Sequence, residues 1–281
     1  MMPTFEPRPL HTSRLFLQRA APFARALGLE LMEWGAGRAL TRVTPSERIA
    51  RALDDPRPHP LALIGIVDHS FSYAISGVVG EDVGMSTLDL RIGFAARGPG
   101  EGDVRIETRT VMLDDHTATG QSHVTDGRGE TLAIATALFT LGSFTGGAAP
   151  ADAQVGVYDP ASRGGPFTHL IGLGGEPGAL RLEAGNATVI GWESGQTLHG
   201  GSIGALLMAA CLDRAETEGD LAADKRLASL YVRYLRPAPG EDLHARSATD
   251  RKGRTTSYIA ASCFNQPGKD VAAAHATFVL R

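Results

Sequence analysis

Cysteine is scarce in this chain of 281 residues: only Cys211 and Cys263 occur, each inside an apolar stretch. Two thiols so placed make no disulfide framework and read as buried and reduced, the pattern of a cytoplasmic protein. No cysteine–histidine cluster has the spacing of a zinc site, and no metal is expected. Charge of one sign is not in excess either. A formal net charge of −4 gives no general electrostatic case for nucleic acid as a partner. There is no apolar run of about 18 residues, so no membrane span is expected. The first residues, MMPTFEPRPLHTSRLFLQRA, lack the apolar core and small-residue cleavage site of a secretory signal.

What the chain does contain is itself, twice. Pro22-Phe23 opens PFARALGLELMEWGAGRALTRV, and Pro166-Phe167 opens PFTHLIGLGGEPGALRLEA, an offset of 144 residues. His59 leads into PLALIGIVDHSFSYAI and His199 into GGSIGALLMAACLDRA, an offset of 140. A strand ending at Phe94 matches one ending at Tyr234, and LAIATALFTL (132–141) matches VAAAHATFVL (271–280). Four matches in order at nearly constant offset mean duplication. The Gly-, Ala- and Pro-rich segment 142–156 reads as the linker between units 1–145 and 155–281. Either half is long enough to bury a core of its own.

Each unit carries the same order of elements. A short helical lead-in precedes a strand (37–44; 179–190) and an apolar helix (about 61–77; about 201–216). Strands of period two follow, at 86–94, 102–113, 118–125 and 131–141 in the first unit, with Pro-Gly-Glu-Gly at 99–102 and Asp-Gly-Arg-Gly at 126–129 as turns. One long helix against an antiparallel sheet is an α+β layer arrangement, and a helix apolar nearly all round requires the sheet to wrap it.

The start His199-Gly200-Gly201, the strand LYVRYLRPAPGEDL (230–243), and FSYAI after Asp68 followed by TLDLRIGF resemble the hot-dog thioesterase superfamily, in particular its phenylacetyl-CoA-type and 4-hydroxybenzoyl-CoA-type branches. There the helix typically begins His-Gly-Gly and carries an Asp nine residues after the His. The resemblance spans nearly all of residues 20–281. It implies a tandem hot-dog, each unit an antiparallel sheet wrapped around one long central helix. It also implies hydrolysis of an acyl-CoA thioester, without any cofactor beyond the coenzyme A of the substrate, and a homodimer of such chains.

Neither unit holds the whole motif. The first has His59 and Asp68, but Pro60-Leu61 in place of Gly-Gly; the second has His199-Gly200-Gly201, but Met208 in place of the Asp. Residues eight or nine apart on one helix are separated by about 12–14 Å along its axis, too far to act on one carbon. In the family the glycine and the acid come from opposite protomers. The resemblance therefore implies one composite site, with the Gly200 end of the second helix facing Asp68 of the first, and a dead reciprocal pocket.

The Gly200 N–H, with Gly201, would hold the oxyanion at a helix start carrying partial positive charge. Pro60 has no N–H to offer. Asp68 would serve as general base or as nucleophile. By family pattern, Thr87, with Ser86 beside it, orients the acid, and His199 fixes the loop before the helix. Where some relatives have a carboxamide this chain has Glu193, for which Gln196 is a substitute. Both are candidate ligand contacts, and Arg233 and Arg236 are candidates for the phosphates of coenzyme A.

Three rival readings have their own marks. Gly200-Gly201-Ser202-Ile203-Gly204 matches the G-x-S-x-G of serine hydrolases, with Asp242 or Asp250 and His275 after it, but lacks the buried strand that motif requires. A hot-dog hydratase needs a paired Asp and His that the sequence does not supply. A non-catalytic acyl- or CoA-binding hot-dog protein would follow if both half-motifs had lost their chemistry.

Overall fold

The computed structural model of the chain describes residues 21–46, 49–52, 55–80, 83–96, 102–145, 167–183, 185–192, 197–238 and 240–281. Its first unit begins with helix α1 (Pro22–Leu27), ended by Gly28 at a φ of 68°. Strands β1 (Glu30–Gly35) and β2 (Arg38–Val43) make a hairpin whose turn residues Ala36 and Gly37 have φ of 48° and 74°, the pair of positive angles that matches strand twist. After the short pair β3 (Ala50–Ala52) and β4 (Asp55–Pro58) comes the long helix α2 (Pro60–Val79). Strands β5 (Val83–Phe94), β6 (Val104–Leu113), β7 (Thr117–Thr125) and β8 (Thr131–Thr145) complete the unit.

The second unit repeats this order. A short helix α3 (Phe167–Leu170) precedes the hairpin β9 (Leu173–Glu176) and β10 (Ala179–Leu182). The pair β11 (Ile190–Trp192) and β12 (Thr197–Leu198) leads into helix α4 (Gly200–Thr217). Strands β13 (Lys225–Tyr234), β14 (Leu243–Lys252), β15 (Thr256–Gln266) and β16 (Lys269–Leu280) follow.

Twelve strands form one antiparallel sheet in the order β1-β2-β6-β7-β8-β5-β13-β16-β15-β14-β10-β9. The order reads alike from either edge, and the units join where β5 pairs with β13. There Arg91 faces Tyr231, its own equivalent at the 140-residue offset, with Ile92 opposite Leu230 and Leu90 opposite Val232. A pseudo-twofold axis thus passes between Arg91 and Tyr231.

The α2 helix lies inside the wrap with residues Leu61 to Phe71 all buried. By length and composition it is the one helix among the described residues that could cross a membrane, but here it is the core of the sheet. Among its polar residues, Ser70 Oγ donates to Ile66 O at 2.8 Å and also meets Thr41 Oγ1 at 2.8 Å. In α4 burial is continuous from Gly201 to Cys211, and both cysteines are buried free thiols.

The segment expected as a single strand over 179–190 ends at Leu182. Asn186 interrupts it: its side chain donates to Leu170 O at 2.8 Å and accepts from Thr188 N at 3.0 Å, a local turn that competes with the ladder. The expected linker 142–156 begins inside a strand, since β8 runs to Thr145. Its remainder, and most of the expected turn at 99–102, lie outside the described residues. The turn at 126–129 forms as read, with Asp126 Oδ1 accepting from the N–H groups of Arg128 and Glu130, both at 2.9 Å.

Candidate active site

Helices α2 and α4 cross with almost no space between their backbones. A Cβ on Gly201 would lie 2.5 Å from Gly65 Cα, so both positions require glycine. This crossing sets the first turn of α4 against the middle of α2. A Cβ on Gly200 would lie 2.8 Å from Asp68 Oδ2 and 3.3 Å from Thr87 Oγ1. The acid of the first unit and the helix start of the second therefore meet directly.

Asp68 is buried, with 2% of its surface exposed. Thr87 Oγ1 donates to its Oδ1 at 2.9 Å, and His199 Nδ1 lies 3.3 Å from its Oδ2. Thr87 is aimed by a bulge in β5 between Thr87 and Asp89, and the same bulge recurs in β13 between Leu227 and Ser229. Burial raises the Asp68 carboxyl to about 7, against the opposing hydrogen bonds from Thr87 and from the Gly201 N–H.

His199 is the N-cap of α4: its Nδ1 accepts from Gly201 N at 2.9 Å, as His59 Nδ1 accepts from Leu61 N at 3.1 Å before α2. The same bond corrects one expectation, because the Gly201 N–H is turned inward to His199 and Asp68 rather than toward a ligand. Gly200, first in the helix, has no intrahelical acceptor for its N–H.

Other candidates fall elsewhere. Ser86 sits one residue before Thr87, so pleat alternation puts it on the other face of β5. Arg233 is likewise on the outer face of β13, since its neighbours Val232 and Tyr234 face inward; it is exposed and pairs in register with Asp89. Arg236 is exposed beyond the end of β13. Glu193 and Gln196 lie outside the described residues. Among the described residues no group of three or more His, Cys, Asp or Glu side chains could hold a metal.

Three residues at this site were not singled out from sequence. Phe23 of α1 stacks on the His199 ring with centroids 4.4 Å apart, as Phe167 tilts against His59 at 6.2 Å. The repeated Pro-Phe was its only signal. Tyr234 donates from its hydroxyl to Gly200 O at 2.9 Å, where the first unit has Phe94. Burial, with Asp68 adding to it, pushes the Tyr234 phenol well above its usual range, which keeps it a donor. His69 lies buried with its Nδ1 2.9 Å from His199 Nε2.

Residues 188–279 match the family model of the acyl-CoA thioesterase N-terminal domain. Among solved structures, the acyl-CoA thioesterase II TesB2 of Mycobacterium marinum is 14% identical, with 92% of this chain and 96% of that one covered at a TM-score of 0.56. A protein of Novosphingobium aromaticivorans assigned as a thioesterase is 12% identical over 86% of this chain and 95% of its own, TM-score 0.55. With these structures the chain shares a tandem hot-dog fold. A third similar structure, assigned as an oleoyl thioesterase of Lactobacillus plantarum, is 10% identical over 87% of this chain and 97% of its own, TM-score 0.52. In all three the likeness runs through both units of the tandem hot-dog. No curated protein matches the chain.

The serine-hydrolase reading fails on geometry. Ser202 is buried and its hydroxyl donates to His199 O at 2.7 Å. His275, which that reading needs as base, is more than half exposed on the outer face and sits 3.6 Å from Asp250.

Proposed function

We propose that the chain hydrolyses acyl-CoA thioesters at one composite site, built from Asp68 and Thr87 of the first unit and the Gly200 end of α4. The observation that supports it most is the 2.8 Å between Asp68 Oδ2 and the Cβ position of Gly200. It sets a carboxylate beside a helix start that carries partial positive charge. A carboxyl raised to about 7 suits a general base at neutral pH.

In this reading the thioester carbonyl lies against the Gly200 N–H. Ionised Asp68 takes a proton from water, the hydroxide attacks the carbonyl carbon, and the N–H holds the resulting oxyanion. Collapse breaks the carbon–sulfur bond, and protonated Asp68 returns its proton to the leaving thiolate. Phosphate recognition by Arg233 has no support from its position on the outer face; Arg236, beyond β13, stays a proposed contact. The thioesterase names of the superfamily relatives and the acyl-CoA thioesterase model over the second unit agree with this chemistry.

The test is release of free coenzyme A thiol from a panel of acyl-CoA esters by the native chain and by Asp68→Ala. Turnover that vanishes in the variant is expected. Binding without turnover in the native chain would favour the non-catalytic acyl-binding reading instead.

A further inference from the structure

The Gly201 N–H can only donate, and it points at His199 Nδ1 from 2.9 Å. A lone pair must therefore sit on Nδ1. Burial lowers His69 to about 4 and His199 well below its usual range, so each ring is neutral and carries one proton. The proton of His199 is then on Nε2, and the neighbour there is His69 Nδ1 at 2.9 Å, which must accept it. The Gly201 amide at one nitrogen and the His69 acceptor at the other thus act together to fix the tautomer of His199.

We propose that His69 is a positioning residue for the composite site: it takes up the Nε2 proton of His199 and thereby holds the Nδ1 lone pair of that ring towards Gly201 and Asp68. One feature of the ring argues against a role in packing alone. The far nitrogen of His69, Nε2, is buried with no hydrogen-bond partner among the described residues, an expense that an apolar side chain would avoid. Its ring meets Tyr73 edge to face, with centroids 4.6 Å apart. In addition, the second unit, which has Met208 for the acid, has Ala209 at the place of His69, so the histidine accompanies the carboxylate.

The consequence falls on Asp68. The groups facing it are Thr87 from β5, His199, Gly200 and Gly201 from the start of α4, and Tyr234 of β13 through its bond to Gly200 O. A bare lone pair 3.3 Å from Oδ2 disfavours the ionised carboxylate and welcomes the protonated one. The opposite tautomer would donate to Oδ2 and favour ionisation. His69 therefore keeps Asp68 the stronger base.

The effect on rate rests on the thioesterase reading; the tautomer does not. In ligand-free protein labelled with 15N-histidine, His199 is expected to be protonated at Nε2 in the native chain and in His69→Asn, whose amide oxygen replaces the lost acceptor. In His69→Phe the proton is expected at Nδ1. In turnover assays, the pH midpoint of kcat/KM is expected to fall by about one unit in His69→Phe and to return in His69→Asn. A purely structural histidine would lower kcat/KM equally at every pH and leave the midpoint in place, which would overturn the proposal. A native His199 protonated at Nδ1 would overturn it as well, whether or not the chain proves to be a thioesterase.

Discussion

At one end of the helix pair the N-cap ring of His199 sits among Gly200, Gly201, Asp68, His69, Thr87 and Tyr234. At the other, His59 caps α2 in the same way, but the residues matching that set are Pro60, Leu61, Met208, Ala209, Leu227 and Phe94. The backbone is preserved at both ends, down to the bulges in β5 and β13. Apart from the capping N–H, kept by Leu61 as by Gly201, the groups able to donate or accept a proton around the cap have been exchanged for ones that cannot. The comparison separates two jobs that share a residue: a histidine cap belongs to starting the helix, while the proposed chemistry belongs to the side chains around it. It also suggests why duplication favours loss. A buried carboxylate is costly, and Met208 and Leu61, both buried, spare the second end that cost while filling the same space.

The largest break in the comparison is Asp68→Asn, which makes the two ends alike in having no base. Its kcat/KM is expected to fall by about 10²- to 10⁴-fold, whereas Met208→Leu at the matching place leaves turnover within about twofold. For the native chain, the required form of Asp68 is the ionised one. Activity is therefore expected to be half-maximal near pH 7 and to fall as the pH drops below it. Stability should run the other way. The folded carboxyl holds its proton up to about 7 while the unfolded one releases it near the ordinary Asp value of about 3.9, so stability declines as pH rises through that window. Thermal melts should show Asp68→Asn stabilised at pH 8 and unchanged near pH 3. A variant less stable than the native chain at pH 8 would show that the carboxylate is held by partners stronger than those described.

Gly200→Ala comes next. Its new methyl group would lie 2.8 Å from Asp68 Oδ2, and the carboxyl must move. Overpacking of this kind costs about 1–3 kcal/mol, and a loss of about 10- to 100-fold in kcat/KM is expected. The reciprocal Pro60→Gly should restore nothing, because Met208 offers no base to that helix start. Measurable turnover in an Asp68→Asn, Pro60→Gly double variant would mean that the second end retains chemistry of its own.

Thr87→Val should cost less. It removes the donor to Asp68 Oδ1, and losing a hydrogen bond to the ionised form raises that carboxyl further. At pH 7 a loss of about 10-fold is expected, shrinking at pH 9 as more of the base ionises. A loss independent of pH would assign Thr87 to holding the substrate instead.

The fold was legible because its signals are periodic: alternation over 104–113 and 117–125, and apolar stretches long enough to be core helices. The short strands Glu30–Gly35 and Leu173–Glu176 were not, since neither alternates cleanly and both are held by pairing across a hairpin. The meeting of Asp68 with Gly200 followed from two incomplete motifs that complete each other. The contact of His69 was not legible because its partner comes from the other unit, and the angle at which two helices cross is not written in either one. Arg233 could have been set aside from sequence alone: it stands next to Tyr234 in a period-two strand, so the two face opposite ways.

The smallest expected effect belongs to Tyr234→Phe, which converts that position to the state the first unit already has at Phe94. The ring is kept and only the hydroxyl bond to Gly200 O is lost. The Gly200 carbonyl belongs to the first turn of α4 and keeps its intrahelical role, so the loss is that of one neutral hydrogen bond, about 1 kcal/mol. That corresponds to a fall of a few degrees in Tm and less than about fivefold in kcat/KM. Phe94→Tyr should leave turnover unchanged, since no proposed donor or base lies at its end of the pair. If Tyr234→Phe instead proves as damaging as Thr87→Val, the hydroxyl does more than brace the helix start. The asymmetry between Tyr234 and Phe94 would then join that between Asp68 and Met208 as part of the chemistry.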